Sequence, residues 1–139
     1  MANYYASCRS SYFKVRHTEK FLAWAKPIPG IDARVESTGR NAGLALLLIY
    51  DGGNGGRPYS RLNPETDEYE DFDLAAELAP HPAKGWCAIL MEAGAEKLCY
   101  IIAQAIVVDW RGKVKIINAR AEALMVAKRW KAKAGDTDY

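Results

Sequence analysis

The chain has 139 residues, a length typical of one domain, and half of these residues are hydrophobic. Its formal net charge of only +2 produces no strong overall attraction to nucleic acid or to an acidic membrane surface. No apolar run approaches the roughly 20 residues of a membrane-spanning helix, and no signal peptide is visible. We therefore predict a single domain over residues 1–139, located in the cytoplasm, with no membrane partner.

The N-terminal part predicts a strand followed by a short helix. Residues 11–16 alternate between polar and apolar positions, as a half-buried strand does. Thr18 is placed to cap a helix over residues 19–26, which the prolines at 27 and 29 would end. The apolar stripe of this helix consists of Phe21, Leu22 and Ala25.

Two further strands are predicted before the middle of the chain. Residues 32–38 alternate like a half-exposed strand, and residues 39–43 predict a turn. Residues 44–50 are apolar at every position except the final tyrosine hydroxyl, which indicates an interior strand covered on both faces. A glycine-rich segment, residues 51–58, then interrupts the pattern. It lacks the spacing of a phosphate-binding loop, so a flexible loop or a mobile contact loop is expected.

Residues 59–70 predict an irregular excursion without regular structure. Asp71 or Asp73 can cap a second helix, which would extend to about Ala79. The two prolines that follow at positions 80 and 82 would end this helix.

Residues 86–118 predict three consecutive antiparallel strands. The first covers residues 86–92 and ends in a glycine-containing turn at 93–95. The second, residues 99–110, is the longest apolar run of the chain, and a tight turn at 111–112 leads to the third strand at 113–118.

The final element is a predicted helix over residues 119–134, with a frayed tail at 135–139. We expect this helix to pack against the Ala103 and Ala105 face of the long middle strand, because alanines allow close approach. The pattern predicts an α+β fold: an antiparallel sheet of about five to six strands, with the C-terminal helix and one or two further helices packed on it. The shared helix face consists of Ala119, Ala123, Val126, Ala127 and Trp130.

Acidic residues crowd the middle of the chain and form the first candidate site. Their spacing differs from that of a calcium-binding loop, so no metal site is predicted. A solvated loop leading into a helix would explain them. The alternative is a surface that presents carboxylates to an arginine- or lysine-rich partner, as a nucleic-acid mimic would. The residues predicted to bind that partner are Glu65, Asp67, Glu68, Glu70 and Asp71.

Basic residues near the C-terminus form the second candidate site. With Trp110 and Trp130 nearby in sequence, they could contact a phosphate backbone. The simpler explanation is a solvated helix face and a half-exposed edge strand. The predicted contacts to nucleic acid are Lys128, Arg129, Lys131 and Lys133, with Arg111, Lys113 and Lys115 as further basic positions.

Catalytic chemistry is not indicated. Glu92 and Glu96 flank a turn, but a glycosidase-like pair needs a cleft that the sequence does not reveal. The three cysteines, Cys8, Cys87 and Cys99, form no Cys-x-x-Cys motif and are predicted to be reduced and buried. We expect no cofactor and no enzyme activity.

Two segments resemble a family of small proteins encoded by phages and other mobile elements. Residues 9–15, Arg-Ser-Ser-Tyr-Phe-Lys-Val, are similar to its Ser-Asn-Tyr-Phe-x-Val opening, with Ser11 where the family often has Asn. Residues 91–100, Met-Glu-Ala-Gly-Ala-Glu-Lys-Leu-Cys-Tyr, are similar to its Met-Glu-x-Gly-x-Glu-Lys-Leu-Arg-Tyr segment, with Cys99 where Arg is common. The resemblance implies a mobile-element accessory protein and, by genomic association, an inhibitor of host defence such as an anti-CRISPR protein.

Three functions follow from these observations. The leading hypothesis is a protein that binds and inhibits a bacterial defence complex through the acidic residues. The first alternative is a nucleic-acid-binding accessory protein that uses the basic C-terminal helix. The second is a structural protein that forms a homodimer through a sheet edge such as residues 113–118.

Overall fold

A computed structural model describes residues 4–28, 30–49, 58, 60–63, 65–96 and 100–135. Residues 51–57 of the glycine-rich segment, Cys99 and residues 136–139 of the predicted tail lie outside these ranges. The described elements are β1 (Tyr4–Ser10), α1 (Thr18–Ala25), β2 (Ile31–Val35), β3 (Ala45–Ile49), β4 (Ser60–Asn63), β5 (Glu68–Asp71), α2 (Leu74–Leu78), β6 (Cys87–Glu96), β7 (Tyr100–Asp109), β8 (Val114–Asn118) and α3 (Ala119–Arg129).

Six of the strands form one antiparallel sheet in the order β2-β3-β1-β6-β7-β8. β6, β7 and β8 are the predicted meander, and the turn before β8 depends on Gly112, whose φ of +87° suits glycine. The N-terminal strand β1 enters the middle of the sheet between β3 and β6. The α+β prediction is confirmed.

Two predicted strand boundaries are wrong. The turn expected at residues 93–95 is absent, and β6 continues to Glu96 because residues 93–95 pair with β1 on one side and β7 on the other. The strand expected at 11–16 does not form, and the N-terminal strand is β1, which ends at Ser10. Beyond it, Phe13 and Val15 form only single bridges, to Ala45 and Pro82.

The core lies on the sheet face that α1 and α2 cover. Phe21 and Ala25 of α1 are buried there, while Leu22 is exposed, contrary to the predicted stripe. β3 is interior, as predicted: its neighbouring residues Leu46 and Leu47 point to opposite faces and both are buried. Cys8 belongs to this core, and Cys87 is half-buried.

The two short helices begin differently. The residue that precedes α1 is His17, and it provides no side-chain cap, so the predicted Thr18 cap is wrong; Thr18 is the first helical residue. For α2 the alternative with Asp73 is confirmed. Its Oδ1 accepts hydrogen bonds from the backbone N–H groups of Ala75 at 3.0 Å and Ala76 at 3.4 Å.

The C-terminal helix is shorter than predicted. α3 ends at Arg129 because the chain turns into a Schellman motif: Lys131 adopts a φ of +55°, its N–H donates to the Lys128 carbonyl, and the Ala132 N–H donates to the Ala127 carbonyl. α3 contacts β7 and β8 but buries none of its residues. On the face where close packing was expected, Ala105 is half-buried but Ala103 is exposed, so α3 does not cover Ala103.

The predicted irregular excursion is a second, two-stranded sheet formed by β4 and β5. Within the described part of the chain, no helix combines the length and apolar composition needed to cross a membrane.

Candidate interaction surfaces

The predicted acidic residues lie on a single exposed hairpin, made of β4, a turn at residues 65–67, and β5. Glu65 and Asp67 lie in the turn, and both are exposed. Glu68 and Glu70 share one face of β5, whereas Asp71 lies on the other face, since side chains alternate along a strand. We call this element the acidic hairpin.

The turn of the acidic hairpin is held by Asn63. Its backbone carbonyl accepts a hydrogen bond from the Asp67 N–H at 2.8 Å, and its side-chain Oδ1 accepts one from the Glu65 N–H at 2.9 Å. Asp67 has a φ of +56°, a conformation that Asp and Asn tolerate better than most residues. These bonds give the two acids at the tip a fixed backbone.

Arg61 joins the acidic hairpin to the rest of the domain. Its Nη1 lies 2.6 Å from Glu77 Oε1 on α2, its Nε lies 3.2 Å from Glu70 Oε1, and its guanidinium stacks 5.5 Å from the centre of the Phe72 ring. The hydrogen bond to Glu70 raises the pKa of Arg61, and the pair with Glu77 adds to this effect against the opposing effect of desolvation. Glu77 also accepts a long hydrogen bond, 3.5 Å, from Trp24 Nε1 on α1.

The Arg61 contacts divide the predicted acids into two groups. Glu70 forms an ion pair with Arg61 within the hairpin, and it also accepts a hydrogen bond from Asn63 Nδ2 at 3.3 Å. Within the described ranges, the other predicted acids form no ion pair and face solvent. The acids that remain available to a partner are Glu65, Asp67, Glu68 and Asp71.

Arg61, which links the acidic hairpin to Glu77 of α2, was not among the residues predicted from the sequence. The only sequence signal for this role was one basic residue shortly before an acidic run. That signal does not identify the ion pair, because the pair depends on the strand register that places Arg61 opposite Glu70.

The predicted basic residues all lie on the surface, but only two belong to the helix. Lys128 and Arg129 form the last turn of α3, where positive charge complements the helix dipole, and Lys131 and Lys133 follow it. Trp130, between them, is 77% exposed. This combination of cations around an exposed indole is typical of surfaces that bind single-stranded nucleic acid.

Arg111 and Trp110 belong to a different structure. Arg111 Nη2 pairs with Asp109 Oδ2 at 2.9 Å, and its guanidinium stacks 4.5 Å from the Trp110 ring centre. Desolvation would raise the pKa of Asp109, but hydrogen bonds from Lys113 N–H and from Arg111 outweigh it and hold the pKa below its ordinary value. Arg16 donates to the carbonyls of Trp110, at 2.5 Å, and Pro82, at 2.9 Å. These contacts stabilise the turn before β8.

Two of the cavities that described residues line lie along the main sheet. The larger, about 650 Å³, borders four strands and is lined in part by Cys8, Glu92 and Gln104. Glu92 is buried opposite Gln104, and the side chain of Glu96 lies outside the described part, so the structure does not define a carboxylate pair. The smaller, about 320 Å³, lies between α2 and the last two strands and is lined by Pro58, Phe72, Asp73, Leu74, Ala75, Ile106, Val114 and Ile116.

Among the described residues, no three His, Cys, Asp or Glu side chains are placed to hold a metal ion together. The carboxylates of the acidic hairpin are spread over its turn and both faces of β5. Protein-family models, curated proteins and solved structures yield no match to this chain.

Proposed function

We propose that this chain is an accessory protein of a phage or related mobile element that inhibits a bacterial defence complex, of the anti-CRISPR type, by stoichiometric contact in the bacterial cytoplasm. The observation that carries the proposal is the acidic hairpin, whose ordered turn and Arg61 anchor present four exposed carboxylates without a counterion from the described residues. The resemblance of residues 9–15 and 91–100 to mobile-element proteins supports it independently.

The acidic hairpin suits a partner that normally binds nucleic acid. Such a partner displays arginine and lysine side chains toward phosphates, and carboxylates at a protruding ribbon can pair with the same side chains. Electrostatic attraction of this kind mainly accelerates association, and salt screens it. Inhibition would therefore come from occupying the nucleic-acid surface of the defence complex rather than from catalysis.

Reversing the charge of Glu65 and Glu68 together to lysine is expected to slow association with the defence complex about tenfold or more. The measurement is plaque formation by a targeted phage on cells that carry a CRISPR–Cas system and express the chain. Association rates with the purified complex are then measured at two salt concentrations. Asp67 stays unchanged because its positive φ would strain a lysine.

The matched control reverses Glu19 and Glu122, two exposed acids outside the acidic hairpin, and so changes the net charge equally. The control variant should protect the phage as well as the natural chain does. Equal protection by the hairpin variant would refute the assignment of the surface. Failure of the natural chain to protect phage against any of a panel of defence systems would refute the inhibitor function itself.

A second function, binding of single-stranded nucleic acid, is favoured by the exposed Trp130 among basic residues. Cations would contact the backbone while the indole stacks on a base. The positive electrostatic potential that attracts nucleic acid would be confined to this region, since the whole chain carries a net charge of only +2. This surface is distinct from the acidic hairpin.

Replacing Lys128 and Lys133 with alanine should then reduce the slope of log affinity against log salt by about 1.4, because roughly 0.7 counterions are released per phosphate contact on single strands. Fluorescence anisotropy with a labelled oligonucleotide at low salt provides the measurement. The control replaces Lys20 and Lys26, exposed lysines at α1, and should leave the slope unchanged. Absence of binding by the natural chain at low salt would exclude this function.

A further inference from the structure

β8 is the last strand of the main sheet, and among the described residues only β7 pairs with it. Its side chains are unusually apolar for an exposed edge: Val114, Ile116 and Ile117 are all exposed. Natural edge strands of this kind are usually protected, because their main-chain groups can pair with another chain.

The hydrogen bonds between β7 and β8 determine which groups point outward. Antiparallel ladders alternate between bonded and non-bonded residue pairs, and the Asp109 N–H donates to the Lys113 carbonyl at 3.0 Å. By this alternation, Lys115 and Ile117 direct their backbone groups to β7. The residues whose N–H and C=O groups point to the free edge are Val114, Ile116 and Asn118.

These three outward residues are symmetric about Ile116. If a second β8 runs antiparallel to the first with Ile116 opposite Ile116, then Val114 lies opposite Asn118 and each of the three pairs can exchange two hydrogen bonds. The two-fold axis passes through the Ile116 pair, and both copies keep their helix-covered faces on the same side. We infer that the chain forms a two-fold dimer through β8, with its axis at Ile116 and one continuous sheet across both copies.

The side chains fit this register. Lys115 lies opposite Ile117 of the other copy, so no lysine lies directly opposite another lysine. This matters because like charges directly opposite each other destabilise a strand pair. On the helix-covered face, Val114 and Ile116 line the smaller cavity. The two-fold axis brings the cavities of both copies together and gives these side chains an apolar partner.

α3 leaves the edge accessible and adds apolar surface beside it. It follows β8 directly and contacts β7 as well as β8, so it turns back over its own sheet. An 11-residue helix that buries none of its residues is marginally stable alone. In the dimer the two copies of α3 lie on either side of the axis. The exposed apolar residues of α3 and of the position that follows it are Leu124, Met125 and Trp130.

The exposed apolar residues of this region supply a large part of the area that a stable dimer needs. An aromatic side chain such as Trp130 buries roughly 150–250 Å² and aliphatic side chains bury less, so the exposed fractions together amount to a few hundred Å². Together with the backbone of the β8 edge and the apolar stems of its lysines, this exposed apolar area approaches the ~800 Å² per partner of a standard interface. The inference is independent of the acidic hairpin and its proposed function.

The test uses sedimentation equilibrium of the full chain and of two variants, Ile116→Lys and Ile116→Glu. The natural chain should be a dimer, and each variant should dissociate at least about a hundredfold more readily, because the axis places each new charge against its own copy. An equimolar mixture of the two variants should form a heterodimer, since lysine then faces glutamate. This rescue shows that the loss in each variant is not a failure to fold.

Ile101→Lys is the matched control, because Ile101 is 60% exposed, Ile116 is 58% exposed, and Ile101 lies on the interior strand β7. It should leave the dimer intact. A natural chain that stays monomeric would overturn the inference and leave the edge to a strand of another protein. A mixture that stays monomeric, or an equal effect of Ile101→Lys, would also overturn it.

Discussion

Replacing Phe21 with alanine is expected to lower the free energy of unfolding by about 3–5 kcal/mol, the range found for large aromatic residues removed from a core. Phe21 is completely buried, and its ring lies 5.7 Å from Phe13 and 5.6 Å from His81 by ring centroids, edge to face in both cases. The Trp24 ring lies 6.0 Å away. One side chain thus joins α1, the segment after β1 and the loop after α2.

The loss should be large because little can fill the space that the ring leaves. Its neighbours Phe13 and His81 are fixed by backbone bonds: Phe13 exchanges two with Ala45, and His81 accepts one from Arg16. Burial lowers the pKa of His81, which favours the uncharged form of the ring beside Phe21.

Urea unfolding followed by circular dichroism measures this prediction, with the m-value as a check that the unfolded state is unchanged. Leu22→Ala is the control, since Leu22 is the next residue of α1 and is 36% exposed. It should cost less than half as much. Equal losses in the two variants would show that α1 is not seated on the sheet through Phe21.

The fold was largely predictable where apolar runs are long. The first two strands of the meander, β6 and β7, and the interior strand β3 consist of consecutive or alternating apolar residues. Their burial follows directly from this pattern. The sequence left Asp71 and Asp73 as alternative caps of α2. The structure uses Asp73, because this residue lies two and three positions before the N–H groups that donate to its carboxylate.

The errors arise where neighbouring strands decide the conformation. Residues 93–95, Ala-Gly-Ala, favour a turn in isolation but lie between β1 and β7, whose backbones satisfy them as a strand. β5 reads Glu-Tyr-Glu-Asp, a composition with low strand propensity, and forms because it faces β4 with Arg61 opposite Glu70. Neither contact is visible in a local pattern.

The candidate surfaces were predictable as composition but not as geometry. The acids and bases could be recognised along the chain, and each predicted residue lies on the surface. The pairing of Glu70 with Arg61 depends on strand register, and the position of β8 at the end of the described sheet depends on strand order. Those are properties of the whole sheet.

The segment at residues 9–15, which resembles mobile-element proteins, serves the fold. β1 pairs with β3 as Arg9 with Leu48, and the bridge of Phe13 with Ala45 follows. Three residues lie between these positions on one strand and two on the other, which is a β-bulge. The bulge removes a backbone acceptor from Leu47, and the Ser10 hydroxyl replaces it by accepting a hydrogen bond from the Leu47 N–H at 2.8 Å.

Ser10→Ala is therefore expected to cost about 1–3 kcal/mol, because it leaves the buried Leu47 N–H without an acceptor. Ser10 is fully buried, so water cannot easily take its place, and its hydroxyl also donates to the Ser11 carbonyl at 2.8 Å. Ser7→Ala makes the same substitution at an exposed position of the same strand and should change stability by no more than about 0.5 kcal/mol.

Urea unfolding compares the two serine variants, and hydrogen exchange follows the Leu47 amide. In Ser10→Ala this amide should exchange faster than those of the adjacent residues of β3, since its own hydrogen bond has been removed rather than the strand as a whole. Unchanged protection of Leu47 would mean that the bulge supplies another acceptor. The β-bulge could then form without the serine. In that case the Ser10 hydroxyl would not be required for the irregular pairing between β1 and β3.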